Sequence, residues 1–195
     1  MTSEAEAPLS GVRARTRFAI LEAAMRVLPK TPSASIHDIA DEAGVGRSTV
    51  HRYFDERSAL IQALARHVYE LSNDAIVRAV PDSGPPLQAL RRLAEEQLDL
   101  GLALDFICHE KLCLLQPEIF AGLTDADEIV RATVERALRP DRRAPPDWGL
   151  RSYRTLLRLA AELVAEGTPR HQALDAMMGT LTAGIFAADP PEGAA

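Results

Sequence analysis

Apolar residues recur along this chain at the three- and four-residue spacing of amphipathic helices, and no run shows the convincing two-residue alternation of a half-buried strand. The pattern therefore predicts an all-α fold of about nine helices. It leaves open whether residues 87–115 form one helix or two that break near Gly101 to Phe106. Proline and glycine interrupt the pattern at residues 29–33, 44–46, 81–86, near Pro117, at 140–146, at 167–169 and from Asp189 onward.

Two helix boundaries are indicated by residue type. Gly167 suits the left-handed position after a helix, Thr168 suits the N-cap of the next helix, and Pro169 suits its first turn. Asp147 is placed to cap a helix that starts at Trp148.

Two short helices joined by a tight turn are predicted near the N-terminus. Ser35 and Asp38 form a variant capping box, which is followed by an apolar stripe of Ile36, Ile39, Ala40 and Ala43. The first helix ends at Gly44, and the second runs from Arg47 to Phe54. Because the turn is tight and the second helix is short, we expect the two helices to cross steeply.

The second short helix has two different faces. At about 100° per residue, Val50, Tyr53 and Phe54 group on one side. The opposite side carries guanidinium, hydroxyl and imidazole groups, which are the groups that contact base edges and phosphates in a major groove. The alternative is a solvated face without a partner. The residues of the polar side are Arg47, Ser48, His51 and Arg52.

The charge distribution favours DNA contact at one end of the chain. The net charge is −6, which by itself argues against a nucleic-acid partner. Residues 11–67, however, contain nine basic and six acidic side chains, so that the rest of the chain carries the acidic excess. This asymmetry is typical of a protein that meets DNA with one domain only.

Residues near the N-terminus resemble a known family. Residues 36–54, followed by Arg57 and the pair Ala59-Leu60, are similar to the signature of the TetR family, and residues 16–24 are similar to its first helix. The resemblance covers about residues 13–65. It implies that operator contacts come from Arg47, Ser48, Thr49, His51, Arg52, Tyr53 and Arg57.

The resemblance also implies a domain organisation. Residues 1–10 are expected to be a flexible tail, residues 11–66 a three-helix helix-turn-helix DNA-binding domain, and residues 67–195 a helical bundle that binds a ligand and dimerises. The sequence departs from the usual family pattern, which leaves the operator sequence open but not the docking mode. The departures are Gly46, His51, Ser58 and Pro29.

The last two predicted helices carry apolar stripes, and family members generally form homodimers through these helices. We therefore expect the stripes to form a four-helix interface between two subunits. The alternative is that they pack inside one subunit. The stripe residues are Tyr153, Leu156, Leu157, Ala160, Leu163, Val164, Leu174, Met177, Met178, Leu181, Ile185 and Phe186.

No ligand motif occurs in the part of the chain beyond Arg66. The weak candidates for a small-molecule pocket, each of which an ordinary core or surface role explains better, are Leu102, Phe106, Cys108, His109, Cys113 and Trp148. The spacing of Cys108, His109 and Cys113 matches no known ligand pattern, so neither a metal nor another cofactor is expected. The two cysteines are expected to be reduced thiols.

Other classes of protein are less consistent with the sequence. The five histidines form no HExxH, GxSxG or phosphate-loop pattern, which argues against an enzyme. No membrane span or signal peptide is apparent, so a cytoplasmic protein is expected. The sequence therefore predicts a TetR-type repressor that a small molecule releases from a palindromic operator. The alternative is a helical protein-interaction or small-molecule-binding bundle without DNA binding.

Overall fold

The computed structural model describes residues 11–109, 124–137 and 144–184. Within these ranges all regular secondary structure is helical, so the prediction of an all-α fold is confirmed. The α-helices, numbered here in chain order, are α1 (Gly11–Val27), α2 (Ile36–Glu42), α3 (Arg47–Tyr53), α4 (Arg57–Ala79), α5 (Pro86–Gln97), α6 (Gly101–His109), α7 (Thr124–Ala137), α8 (Trp148–Ala165) and α9 (Arg170–Gly179).

Two shorter helical segments complete the described secondary structure. The 3-10 turn Leu98–Leu100 separates α5 from α6, so the apolar stretch that starts at Leu87 breaks just before Gly101. The π-helical turn Thr180–Gly184 follows α9. Of the helices in the described ranges, none has both the length and the apolar character that crossing a bilayer demands.

The described residues form two compact units that divide between His67 and Val68, within α4. In the N-terminal unit, α2 packs against both α1 and α3. Burial of aliphatic and aromatic side chains stabilises this unit, since each removes apolar surface from water. The core includes Ile20, Leu21, Leu28, Ile39, Val50, Phe54, Leu60 and Leu64.

Both ends of α2 are fixed by local hydrogen bonds. The predicted capping box is present: the Ser35 amide donates to Asp38 Oδ2 at 2.7 Å, and the Asp38 amide donates to Ser35 Oγ at 3.3 Å. The Ser35 amide and the Ser35 hydroxyl both donate to the Asp38 carboxylate and lower its pKa, so the box stabilises the fold at neutral pH and is lost as the pH falls through that lowered pKa. At the other end, Gly44 adopts a φ of +66°.

The turn at Gly44 is a Schellman motif. The Gly44 amide donates to the Asp41 carbonyl at 3.1 Å, and the Val45 amide donates to the Ala40 carbonyl at 3.0 Å. A residue with a β-carbon is disfavoured at this φ, which explains the glycine. The motif ends α2 abruptly and directs the chain into α3.

The C-terminal unit has its own core, to which α4, α5, α7, α8 and α9 contribute. Helix α8 packs against α9, α6 and α7, and α5 packs against α7. Among the buried side chains are Ile76, Leu90, Leu93, Leu98, Val130, Val134, Tyr153, Leu157, Leu174, Met177 and Leu181.

The predicted end of α8 is confirmed, but the start of the next helix differs by one residue. Gly167 has a φ of +104°, and the Thr168 amide donates to the Leu163 carbonyl at 2.8 Å. Thr168 therefore belongs to the terminal motif of α8 and does not cap α9. Pro169 consequently takes the extended N-cap position, and α9 begins at Arg170.

The predicted capping role of Asp147 is wrong. Its backbone has a φ of +62°, and its side chain makes no capping hydrogen bond to α8. The carboxylate instead pairs with Arg131 of α7. An ion pair between two helices therefore replaces the local cap that the sequence suggested.

Candidate functional site

Helix α3 presents one side to the core and the other to solvent. Val50 lies within the helix and Phe54 is its C-cap, and both are buried. Arg47, Ser48 and Arg52 are exposed. The other three predicted contact residues of α3 are half-buried, and they are Thr49, His51 and Tyr53.

The charged groups of α3 are available for an external partner. Within the described residues, neither Arg47 nor Arg52 pairs with a carboxylate. The Arg52 guanidinium lies 5.7 Å from the centre of the Tyr53 ring, which restrains its direction without neutralising its charge. By contrast, Arg26 of α1 pairs with Glu42 at 2.7 Å. The exposed face of α3 thus offers two positive charges to an anion.

Helix α1 adds basic residues that the sequence analysis counted but did not assign. Arg13 and Arg15 lie exposed in its first turns, where no acidic residue occurs. Positive charge at a helix N-terminus opposes the helix dipole, so these arginines do not stabilise α1. Several arginines at the N-terminus of a helix, where positive charge is unfavourable, therefore indicate in a sequence that the charge serves an external partner.

Arg57 has a structural role that the resemblance did not imply. Its guanidinium donates to the main-chain carbonyls of Ala34 and Pro32, in the loop between α1 and α2. Two of its five N–H donors are therefore engaged within the N-terminal unit, and the phosphate contact that the resemblance implied stays a prediction. Sequence alone does not reveal this role, because the partners are carbonyl groups and carry no residue signature.

The C-terminal unit contains a cavity of about 80 Å³. Aromatic, aliphatic and ionisable side chains from α4, α6, α7 and α8 surround it, together with Gln97 of α5. The lining residues are Tyr69, Ser72, Ile76, Gln97, Gly101, Leu104, Asp105, Cys108, Ala126, Asp127, Val130, Tyr153, Arg154 and Leu157.

A buried hydrogen-bond chain crosses one wall of this cavity. Tyr153 donates from its hydroxyl to Gln97 Oε1 at 2.9 Å, and Gln97 Nε2 donates to Ser72 Oγ at 3.1 Å. Burial raises the pKa of Tyr153, so the phenol stays neutral and acts as the donor. The chain ties α4, α5 and α8 together, and it satisfies polar groups that would be costly if left alone.

The other ionisable groups of the cavity are partly exposed. Arg154 of α8 donates to Asp127 Oδ1 of α7 at 2.7 Å. Arg158, one turn further along α8, lies 3.9 Å from Asp105 of α6 and also pairs with Glu162. Among the described lining residues, two carboxylates and one guanidinium face the cavity, so this part of the lining has a net negative charge.

Of the predicted pocket residues whose side chains the structure describes, only Cys108 belongs to the cavity lining. Phe106 is buried elsewhere, Leu102 packs half-buried against the core, and Trp148 is 47% exposed. His109 ends α6, and Cys113 lies outside the described residues. Residue type alone does not predict this lining, because it comes from residues far apart in sequence.

Comparisons with known proteins bear on the N-terminal unit and on the whole chain. A family model described as "Bacterial regulatory proteins, tetR family" matches residues 20–64. The HTH-type transcriptional repressor LfrR of Mycolicibacterium smegmatis is 50% identical over 177 residues, which are 91% of this chain and 94% of LfrR. This chain belongs to the TetR family. It is a DNA-binding transcriptional regulator and not an enzyme.

Solved structures of TetR-like regulators agree with this assignment. The crystal structure of LfrR from Mycobacterium smegmatis in complex with proflavine is 49% identical, with a TM-score of 0.77, and covers 91% of this chain and 100% of that chain. A TetR-like regulator from Rhodococcus sp. RHA1 is 18% identical, with a TM-score of 0.60, and covers 91% of this chain and 98% of its own. The second likeness concerns the fold alone.

The residues predicted for the dimer interface lie mostly in the core of one subunit of this TetR-family protein. The buried members therefore pack inside one subunit, which is the alternative that the stripes left open, because a periodic apolar stripe does not reveal which neighbour covers it. Leu156, Leu163 and Val164 are partly buried against the same core, and Ile185 and Phe186 lie outside the described side chains. The buried residues are Tyr153, Leu157, Ala160, Leu174, Met177, Met178 and Leu181.

Replacing Arg57 with alanine should destabilise the N-terminal unit. The substitution removes charged hydrogen bonds to two carbonyls, and we expect the free energy of unfolding to fall by about 1–2 kcal/mol in urea denaturation. Arg57→Lys should recover only part of this loss, because an ammonium does not reproduce the guanidinium fork. Arg52→Ala is the control and should leave stability unchanged, so equal stability of Arg57→Ala and Arg52→Ala would contradict the structural role.

Proposed function

We propose that this TetR-family regulator is a homodimeric repressor. It holds a palindromic operator through α3 of each subunit and releases it when a small organic cation enters the cavity of the C-terminal unit. In this proposal residues 11–66 bind DNA, and residues 67–195 bind the ligand and dimerise. The DNA partner implies that the protein acts in the cytoplasm.

The observation that carries the DNA contact is the pair of exposed guanidinium groups on α3. Arg47 and Arg52 have no carboxylate partner within the described residues, and guanidinium groups match guanine edges and phosphates. The side chains assigned to the operator are Arg47, Ser48, Thr49, His51, Arg52 and Tyr53. Arg13 and Arg15 of α1 are assigned to the phosphate backbone, since their charge has no structural role at that helix end.

Removing either guanidinium of α3 should weaken operator binding. Sequences selected from random DNA by the wild-type protein provide the operator for gel-shift titrations. We expect Arg47→Ala and Arg52→Ala each to cost about 1–3 kcal/mol if the arginine contacts a base, and wild-type affinity to fall steeply with salt.

The control for this measurement is Arg151→Ala, which removes an exposed arginine from α8 of the C-terminal unit. It should bind the operator as the wild type does. Unchanged affinity in both α3 variants, or DNA retention that does not depend on salt, would instead favour a helical interaction protein without DNA binding.

The proposed dimer uses the solvent-facing sides of α8 and α9 and not the buried stripes. Leu159 of α8 is 43% exposed, although it is a large apolar residue. The exposed side of α9 and of the turn after it carries small residues, namely Ala176, Gly179 and Thr180. Small side chains let a helix from a second subunit approach closely, and two linked reading helices raise affinity for a two-part operator.

A bulky residue at position 179 should disrupt this dimer without disturbing the subunit. A β-carbon added at Gly179 meets no atom within 4 Å in its own chain, so the subunit has room for a larger side chain there. We expect Gly179→Trp to sediment as a monomer with a native circular-dichroism spectrum. Glu166→Trp, at the exposed end of α8, should remain dimeric, and a dimeric Gly179→Trp protein would exclude this face.

The proposed ligand class follows from the cavity and from the relative. LfrR was crystallised in complex with proflavine, a planar aromatic cation. The cavity of this chain combines two tyrosine rings, apolar side chains and the carboxylates of Asp105 and Asp127. Aromatic faces and carboxylates both attract such a cation, and the two together attract it more strongly than either does alone.

Proflavine should stabilise the protein and release it from DNA. Without DNA, the melting temperature should rise with proflavine concentration, because a ligand that binds only the folded state stabilises it. In gel shifts the operator affinity should fall. Since a planar cation also stacks in duplex DNA, the control is the same titration on an unrelated repressor with its own operator. A melting temperature that stays constant at saturating dye would argue against this ligand class.

A further inference from the structure

The ion pair between Asp127 and Arg154 lies at the cavity that the proposed function assigns to the ligand. Both residues line this cavity, and they connect α7 with α8 through a hydrogen bond of 2.7 Å. A guanidinium is itself a planar organic cation. The Arg154 guanidinium, which binds the Asp127 carboxylate at the cavity, therefore belongs to the same chemical class as the proposed ligand.

We infer that an organic cation entering the cavity takes the place of the Arg154 guanidinium at Asp127, so that Arg154 is a built-in competitor of the ligand. This inference rests on the proposed function, which supplies the cavity as the ligand site. The inference identifies Asp127 as the carboxylate that receives the cation and Arg154 as the residue that limits the affinity for the ligand.

The exposure of the pair makes such an exchange feasible. The side chains of Arg154 and Asp127 are 42% and 60% exposed. An ion pair in this setting stabilises the fold by only about 0–1 kcal/mol, whereas a buried pair would resist separation strongly. Water also solvates the displaced guanidinium, since Arg154 lies at the surface. A ligand therefore pays little to separate the two groups.

The neighbouring charges favour Arg154 over Arg158 as the group that moves. Arg158 pairs with Glu162 one turn further along α8 and lies near Asp105 as well, so two carboxylates hold it. Arg154 pairs with Asp127 alone among the ion pairs of the described residues. Tyr153, the other polar residue that α8 contributes to the described cavity lining, is hydrogen-bonded to Gln97.

The exchange also changes what joins α7 to α8. When the ligand occupies Asp127, the direct link between Asp127 and Arg154 is replaced by contacts from each helix to the ligand. A second tie between the same helices, from Arg131 to Asp147 just before α8, is not part of the cavity lining and is left in place. The ligand thus acts on one end of the α7–α8 contact only.

Isothermal titration of the full-length protein with proflavine tests the exchange in a double-mutant cycle. Arg154→Gln should bind proflavine about two- to fivefold more tightly than the wild type, because the competitor is gone. Asp127→Asn should bind it more weakly by a similar factor. In the Asp127→Asn background, Arg154→Gln should give no gain, since the arginine has no carboxylate left to occupy.

Two controls separate competition from a general change in charge. Arg151→Gln removes an exposed arginine of α8 that does not line the cavity, and it should leave the affinity unchanged. Acridine at pH 8, where this ring system is uncharged, should bind the wild type and Arg154→Gln equally.

The other results of these titrations contradict the exchange, the ligand class or both. An unchanged or weaker affinity of Arg154→Gln, a gain that persists in the Asp127→Asn background, or an equal gain in Arg151→Gln would overturn the exchange while leaving the ligand class intact. If the wild type and all variants bound no proflavine, the proposed ligand class and the exchange would both be overturned.

Discussion

Seven residues do not sustain an α-helix in water, because nucleation costs more than so few hydrogen bonds return. Helix α3 therefore exists because Val50 and Phe54 are buried in the N-terminal unit. The same burial determines which side chains point outward, since the positions of a helix are rigidly related. The direction of Arg47 and Arg52 is thus a consequence of apolar packing on the opposite side of α3.

The surroundings of α3 restrict its position further. The capping box at Ser35 and the Schellman motif at Gly44 fix where α2 begins and ends. Arg57 holds the loop before α2 through two main-chain carbonyls. Sequence-specific DNA contact needs side chains held to within a fraction of an ångström, and several weak local constraints achieve this together.

The features that sequence predicted correctly are those encoded by neighbouring residues. The capping box, the glycine turns and the two faces of α3 each depend on residue types within one or two helical turns. The features that it missed depend on residues distant in the chain. Arg57 contacts carbonyl groups more than twenty positions away, and the cavity joins Tyr69, Gln97 and Tyr153. The stripes of α8 and α9 are apolar as predicted, but most of their residues pack inside one subunit, because periodicity specifies that a face is covered and not what covers it.

The cavity of the C-terminal unit separates two kinds of polar residue. Ser72, Gln97 and Tyr153 are buried and satisfy one another, so a change at any of them leaves a partner without its hydrogen bond and weakens the fold. Asp127 and Arg154 are largely solvated, and their substitution has little effect on folding. In the proposed function, the charge of the ligand site can therefore change through single replacements at Asp127 or Arg154, while the buried residues that keep the bundle folded remain as they are.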